Sequence, residues 1–453
     1  MNEYFIEIVQ TTKNSLNNKP LDLSGCTQIV KGRYLSLSLN YVSLRKVRKL
    51  LGSLKSKTST SVDELDSLSV KLAADYIAGP LHHVISLSIM QQKFPSGWKF
   101  TKIVPLHKKN SPLKKEHYRP VAILSPLSKV LEKVLHEQIY NYFERNKLFH
   151  PSLHGYRRNR STLSAWLTMY DQWVKAASTG KVTGVVFADL SAAFDLVPPD
   201  ILIKKLEIYG FKEDITVWIY SYLTFRYQTV WVDHTFSSLI ENSIGVPQGS
   251  ILGPLLFLIY FNDLPLFLNE NIECYGDDLT ISASGLSSLD IGNKLSSDCS
   301  KLSEWMTANK FKLNATKTVV MRMGSSQKLA KTQDLKVSMD GLLLKETQNE
   351  AEPLLGVQLQ NNLKWTKQVQ CLSLRLKKRL AGLEKLKFVM SCSVKNRVVQ
   401  GIFNSVLCYC LPLFGGCTKQ ELDLLQSQQN KAARIVLGLP PRSNRDSTLH
   451  LMQ

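Results

Sequence analysis

The segment Glu273-Cys-Tyr-Gly-Asp-Asp-Leu-Thr-Ile-Ser282 sets two adjacent carboxylates between apolar flanks. Adjacent negative charges repel, and burying them without a partner costs several kcal/mol, roughly. Two strands joined by a tight turn at Gly276 would leave the pair at a hairpin tip, where aspartate also occurs for purely local reasons. A hard divalent cation bound by carboxylate oxygen is the chemical alternative.

Charge is unevenly spread along the 453 residues, whose formal net charge is +20. Residues 101–160 carry 13 basic and 4 acidic side chains, and residues 301–400 carry 19 and 7. The intervening residues 161–300 carry 7 and 16. An acidic centre between basic arms points to cation binding in the middle and polyanion binding on both sides. The most apolar run, Ile251 to Phe261, is 11 residues long and contains Gly253 and Pro254, too short to span a membrane. The acidic N-terminus, with Glu3 and Glu7, differs from a secretory signal, and the chain is expected to be intracellular, in the nucleus or cytoplasm. Cys408, Cys410 and Cys417 cluster without a neighbouring histidine, which argues against a zinc knuckle.

Helix and strand patterns alternate in an α+β manner. Residues 1–60 are weakly patterned and read as an N-terminal extension or linker, with Gly52–Ser61 a serine- and lysine-rich loop. Apolar residues recur at helical spacing from Leu68 to Gln92, with a split or a kink expected at Gly79-Pro80. Ser125-Pro126 reads as a helix start, Val182–Phe187 as a buried strand, and Leu372, Leu376, Leu380 and Leu383 as one face of a late basic helix.

Two further stretches lie in the acidic centre. Asp189 ends the apolar strand in Phe187-Ala-Asp-Leu-Ser-Ala-Ala-Phe-Asp195, where it is either a rigidly projected carboxylate or a helix cap. Gly245-Val-Pro-Gln-Gly-Ser250 brackets Gln248 with glycines that let a ligand approach the backbone. Singly each is weak. Together, strand-end aspartate, Gly/Gln loop and aspartate hairpin run in order from Asp189 to Asp278.

That order resembles motifs A, B and C of a template-dependent polymerase palm. Viral RNA polymerases resemble one another in a second aspartate five residues after the first; here that residue is Phe194, which looks like the steric gate of reverse transcriptases. Pro247-Gln248-Gly249 is similar to the reverse-transcriptase form, and Gly276 stands where many relatives have alanine. Lys108-Lys109 and Tyr118-Arg-Pro120 resemble the fingers segment that grips a triphosphate. Leu153-His-Gly-Tyr-Arg157 resembles the family's Gln-x-Gly-Phe-Arg, departing at Leu153 and Tyr156. Asn314-Ala-Thr-Lys317 resembles motif D, and Leu355-Gly-Val357 with Trp365 the primer grip. Gly253-Pro-Leu-Leu-Phe257, Asn262-Asp-Leu264 and the late Leu424-Leu-Gln426 with Gln429-Asn-Lys431 resemble the jockey-like non-LTR retrotransposons.

The resemblance implies a right-hand polymerase: fingers and palm over 61–345, primer grip and thumb over 346–440, and an antiparallel palm sheet bearing the catalytic aspartates. It implies two Mg²⁺ ions, with Mn²⁺ as a substitute, held by Asp189, Asp277, Asp278 and the Leu190 carbonyl. Lys317 would be a general acid. Lys108 (or Lys109), Arg119, Phe194 and Gln248 would meet the nucleotide, and Arg157, Gly356 and Trp365 the template and primer. Partners would be an RNA template, a DNA primer or target, and dNTPs, with no membrane. No endonuclease, zinc knuckle or RNase H segment is evident, and residues 441–453 read as a truncated end, as expected of a truncated or rearranged genomic copy. A catalytically dead nucleic-acid-binding relic and an RNA-dependent RNA polymerase are the rival readings.

Overall fold

The first 60 residues fold into helices α1 (Asn2–Asn14), α2 (Ser24–Val30) and α3 (Leu44–Gly52). The computed structural model describes residues 1–14, 19–108, 111–190, 192–314, 316–386 and 388–440. Lys109, Lys387 and the 441–453 end therefore lie outside the described residues. Helix α1 buries Asn2, Phe5, Ile6 and Val9, a one-sided stripe at helical spacing. Phe5 packs with Ile103, Ala122 and Val230, and the Asn2 side-chain amide donates to the Gln228 and Ser238 carbonyls. An extension or linker is thus an incomplete description of this stretch. Its stripe begins with a polar residue and is only three turns long, which hid it.

Helices α4 (Ser67–Leu72) and α5 (Ala74–Met90) divide at Ala73, not at Gly79-Pro80. Pro80 sits inside α5 on its exposed side, so the lost hydrogen bond faces water and the helix continues. Asp66 caps α4, accepting from Leu68 N and Ser69 N at 2.8 and 2.9 Å. Strands β1 (Phe100–His107) and β2 (Tyr118–Ile123) form an antiparallel hairpin. Ser125 caps α6 (Pro126–Arg145), with Pro126 at the first helical position as its φ permits. Next come α7 (Thr162–Ser178), β3 (Val182–Ala188), α8 (Pro199–Ile208) and α9 (Glu213–Leu223). Strand β4 (Tyr227–Val232) runs parallel to β1 and pairs with the short β5 (Thr235–Phe236) and β6 (Ile240–Glu241).

Helix α10 (Gly253–Tyr260) precedes the hairpin β7 (Asn271–Tyr275) and β8 (Asp278–Gly285). Then follow α11 (Ser288–Ala308), β9 (Val319–Met323), α12 (Ser326–Lys331), β10 (Ser338–Met339), β11 (Leu342–Leu343) and β12 (Lys345–Glu346). The central sheet has strand order β12-β9-β3-β8-β7. Three of its pairings are antiparallel and the edge pair β12–β9 is parallel, so the sheet is mixed rather than purely antiparallel. Both faces of β3 are buried: Val182 and Val186 join the core with Ile291 and Leu295, and Val185 joins Trp166 and Met169. Gly184 lets α11 approach, since a Cβ there would lie 2.7 Å from the Ile291 and Leu295 side chains.

The C-terminal part begins with the hairpin β13 (Ala351–Leu354) and β14 (Val357–Gln360). Helices α13 (Thr366–Leu386), α14 (Cys392–Val398), α15 (Ser405–Leu407) and α16 (Lys419–Leu437) complete it. Leu372, Leu376, Leu380 and Leu383 of α13 pack into one core with Leu425, Ile435 and Val436 of α16. No described helix is long and apolar enough to cross a membrane.

A buried ion pair fastens α8 behind the central sheet. Lys205 Nζ lies 2.7 Å from Asp263 Oδ1 and donates to the Tyr260 carbonyl at 2.8 Å, with both side chains fully buried. The ammonium also faces the rings of Tyr260 and Trp305. Removing one partner strands the other charge, so Asp263→Ala is expected to destabilise the fold by about 3–5 kcal/mol in urea unfolding. The double change Lys205→Met, Asp263→Leu should recover most of that loss; equal damage from single and double variants would contradict it.

Candidate active site

Strand register brings the sequence-distant carboxylates together. Strands β3 and β8 pair Ala188 with Leu279, so the next residues along, Asp189 and Asp278, stand at adjoining strand ends. Tyr275 pairs with Asp278 across a two-residue turn whose first member, Gly276, has φ +66°. A two-residue hairpin with a left-handed first position suits glycine. Asp277 completes the turn and is exposed. Burial fixes this register, because slipping β8 by one residue would take Leu279, Ile281 and Ala283 out of the main core and put Thr280 and Ser282 in their place.

A second segment props the hairpin from outside. His154 N donates to the Cys274 carbonyl and Cys274 N to the Ser152 carbonyl, each at 2.9 Å. The buried His154 ring bridges Glu273 Oε2 at 2.8 Å and Ser164 Oγ at 2.9 Å. A Cβ at Gly155 would lie 2.5 Å from Gly276 N, so only glycine fits that approach. Beside it, a Cβ at Gly276 would lie 3.3 Å from the Tyr156 hydroxyl. Tyr156 and Gly276, two departures from the commoner family form, thus meet in space: one adds a hydroxyl where the other omits a methyl.

Cations converge on the carboxylates. Lys317 Nζ is 3.6 Å from Asp189 Oδ2. Asn314 N donates to the Asp189 carbonyl at 3.0 Å, and Leu190 bridges Leu313, so the segment carrying Lys317 is fastened to the strand end. The Asp278 carboxyl is pushed above its ordinary range by partial removal from water, then by Asp277 and Asp189; Lys108 and Arg119 oppose the shift. Arg119 pairs with Leu106 on the β1–β2 hairpin, and Lys108 N closes that hairpin by donating to the His117 carbonyl. Among the described residues no group of three or more His, Cys, Asp or Glu side chains is gathered closely enough to hold a metal ion. The donor chemistry nonetheless suits a hard cation: clustered carboxylates at strand ends carry a charge that their own neighbours only partly offset.

Phe194 meets Tyr156, the residue that packs on the Gly276 turn, and the loop of Gln248 is tied to Phe194. Phe194 lies in a 3₁₀ turn, Ala193–Leu196, entered through left-handed Ala192. Its ring stacks on Phe257 at 4.4 Å and meets the Tyr156 ring edge-on at 5.8 Å. The loop carrying Gln248 is strapped on both sides. Val246 N donates to the Phe194 carbonyl at 2.8 Å, and Ala122 N to the Gln248 carbonyl at 3.1 Å. Gly245 and Gly249 both have positive φ, and a Cβ on either would strike backbone, of Asp195 and Ala122 respectively. Gln248 Nε2 donates to Asp195 Oδ2 at 2.7 Å. Burial pushes the Asp195 carboxyl up to about 6, against that hydrogen bond.

Three sequence candidates sit elsewhere. The Arg157 guanidinium donates to the His150 and Leu153 carbonyls, pairs with Glu144 and lies over Phe149, which makes it an internal clamp. Trp365 is 2% exposed, packed against Trp166, Tyr170 and Phe414 in the C-terminal core. Gly356 (φ +81°) forms the tip of the β13–β14 hairpin beside Tyr409. Sequence reasoning missed Glu132, which is fully buried and accepts from Ile251 N at 2.7 Å and Leu252 N at 3.3 Å. It anchors the loop ahead of α10, and its only sequence signal was a charge on the apolar face of α6.

Adding a methyl at Gly276 places a side chain at positive φ and against Tyr156, so Gly276→Ala is expected to cost about 1–2 kcal/mol. Combining it with Tyr156→Phe should return part of that loss. A double-mutant cycle by urea unfolding checks this, with a coupling of about 0.5–1 kcal/mol expected; strictly additive effects would show that the two positions do not communicate.

Comparison with known proteins places this geometry in a family. The profile of the reverse transcriptase (RNA-dependent DNA polymerase) family matches residues 106–376, more than half of the chain. The RNA-directed DNA polymerase from mobile element jockey of Drosophila melanogaster is 25% identical over 90% of this chain and 45% of its own length. The probable RNA-directed DNA polymerase from transposon BS of the same organism is 24% identical over 92% of this chain and 48% of its own length. That from transposon X-element is 24% identical over 81% and 40%. The chain therefore spans just under half the length of these relatives. Its central sheet, its hairpin and the matched segment together make the chain a member of the reverse transcriptase (RNA-dependent DNA polymerase) family, whose fold is one of palm, fingers and thumb.

Proposed function

We propose that this chain is the reverse transcriptase of a non-LTR retrotransposon and copies an RNA template into DNA from a primer 3′ end and dNTPs. The observation that carries the reading is the meeting of Asp189 with Asp277-Asp278 at adjoining strand ends, with Phe194 and Gln248 alongside. In this reading residues 61–345 are fingers and palm, and residues 346–440 are primer grip and thumb. The protein acts inside the cell, in the nucleus or cytoplasm.

Asp189 and Asp277 would hold two Mg²⁺ ions, with the Leu190 carbonyl as a further ligand and Asp278 completing the negative cluster. Bound there, the ions would supply activation of the primer 3′-hydroxyl and neutralisation of the triphosphate. The protein's own groups do the rest. Arg119 and Lys108, already close enough to act on Asp278, extend positive charge toward the incoming phosphates. Lys317, 3.6 Å from Asp189, is placed to donate a proton to the departing pyrophosphate. Phe194, in contact with the rings of Phe257 and Tyr156, would exclude a ribose 2′-hydroxyl by its volume. Gly356 at its hairpin tip would steady the primer, while Arg157 and Trp365 would act indirectly, by holding the segments that contact it. Exposed Arg375, Lys377 and Lys378 of α13 would run along the duplex backbone.

Primer extension on an RNA template with Mg²⁺ tests the reading. Extension with dNTPs is expected, reduced by about 10³-fold or more in Asp277→Ala. Binding without extension would leave a nucleic-acid-binding relic, and extension with NTPs would indicate an RNA polymerase. Phe194→Ala should raise ribonucleotide use relative to dNTPs by about 10- to 100-fold in single-nucleotide kinetics. Arg375→Ala with Lys378→Ala should lower the slope of log affinity against log salt by roughly 2, with little change between sequences. An unchanged slope would move the duplex away from α13.

A further inference from the structure

Tyr156 adopts φ +59°, a left-handed backbone that strains a bulky aromatic residue. Its neighbours on both sides hold it there. A Cβ at Gly155 would lie 2.5 Å from Gly276 N, so the chain before Tyr156 is pressed against the Gly276 turn. After it, the Arg157 guanidinium donates to the His150 and Leu153 carbonyls, and Arg158 N donates to the Tyr140 hydroxyl at 2.7 Å. Glycine or asparagine would take this backbone at less cost. What the position keeps, in spite of that cost, is a ring.

That ring touches two parts of the site. Its hydroxyl and Cε2 would lie 3.3 and 3.4 Å from a Cβ on Gly276. It also meets the Phe194 ring, with 5.8 Å between centroids and 87° between planes. Phe257 covers one face of Phe194 at 4.4 Å and 10°. The Phe194 backbone is fixed separately, since its carbonyl accepts from Val246 N at 2.8 Å. Only the side-chain torsions of Phe194 are left for the two rings to settle. The Tyr156 hydroxyl stays protonated, pushed up to about 12 by partial removal from water and then by Asp277, Tyr275 and Asp278, so the ring adds no negative charge there.

We propose that Tyr156 is a specificity-determining residue that backs the Phe194 ring against the 2′-hydroxyl of a ribonucleoside triphosphate. This rests on the polymerase reading with Phe194 as the gate, and goes beyond it, because bulk at Phe194 is not by itself selective. A gate rejects by volume only while it stays in place. A ring stacked on one neighbour can slide along that neighbour's face, since offset stacks are favourable too. A second ring set across it at nearly a right angle closes off that movement. One aromatic contact is a modest interaction, so the backing sharpens selection and does not create it.

The test is single-nucleotide extension of a DNA primer on an RNA template, read as kcat/KM for an NTP over that for the matching dNTP. Tyr156→Ala should raise this ratio by about 3- to 10-fold, as loss of one aromatic contact allows. Tyr156→Phe keeps the ring and should stay within about 2-fold of the wild type. In a Phe194→Ala background, Tyr156→Ala should add nothing, because no gate is left to back. A merely structural Tyr156 would lower both rates together and leave the ratio alone. On a dideoxy-terminated primer, where no bond can form, the relative affinity for NTP and dNTP should show the same change. A folded Tyr156→Ala with the wild-type ratio overturns the proposal, and so does an undiminished gain in the Phe194→Ala background. If Tyr156→Ala does not fold, Tyr156→Gly, whose backbone suits positive φ, decides in its place. No dNTP extension by the wild type would remove the polymerase reading and this inference together. Extension that Phe194→Ala relaxes toward NTPs and Tyr156→Ala does not removes the inference alone.

Discussion

Everything in the site depends on concentrating negative charge at one end of the central sheet. The Asp278 carboxyl is pushed upward by desolvation and then by Asp277 and Asp189. Such a cluster would drift apart on a loosely packed scaffold. Here β3 prevents it, since its residues are buried on both faces and paired on both edges. The apolar core thus sets the register, and the register sets the carboxylates. Cations arrive from three separate elements: Lys317 after α11, Arg119 on β2, and Lys108 at the end of β1. Because each is exposed, each can follow a ligand rather than remain locked to an aspartate.

A frame of buried polar contacts surrounds that sheet. His154 joins Glu273 to Ser164, Glu132 holds the backbone ahead of α10, and Asn262 bonds the Leu148 carbonyl and the Tyr209 hydroxyl. Lys205 and Asp263 add a charged pair behind it. Buried polar groups must find specific partners, whereas apolar groups accept many. These contacts therefore define positions more narrowly than greasy packing of the same volume. Two of them adjoin the segments that carry the site: His154–Glu273 on the strand before the Gly276 turn, and Glu132 on the backbone just after the Gln248 loop.

What the sequence revealed follows from how local the signal was. Strand β3, the hairpin β7–β8 and the Ser125 cap each announce themselves within about ten residues, and the structure has them where periodicity and turn chemistry put them. The split at Ala73 was misplaced because Pro80 lies on an exposed helix side, a fact about tertiary packing that the Gly-Pro pair cannot announce. The side chains of Arg157 and Trp365 turn inward, a direction that their motifs do not specify, since a motif fixes a segment and not where each side chain points. Lys205 and Asp263 lie 58 positions apart, so no local pattern could join them. The same holds for Asp195 and Gln248, which are 53 apart.

The N-terminal helix shows how far the site extends beyond its motifs. Helix α1 packs against β4 and against the turn that carries Phe194. Its Phe5 and Val9 line the same small cavity as Asp195 and Gln248. Asn2 anchors the start of the helix to Gln228, whose own side-chain oxygen accepts from Asn242 ahead of the Gly245 loop. A chain of direct contacts thus runs from the second residue of the protein to the loop that carries Gln248. Deleting α1 would open this cavity to water, and hydration at Asp195 would weaken both the burial that raises its carboxyl and the hydrogen bond that orients the amide. The first 14 residues are therefore part of the wall of the small cavity beside Asp195 and Gln248, although nothing in their composition distinguishes them from a tail.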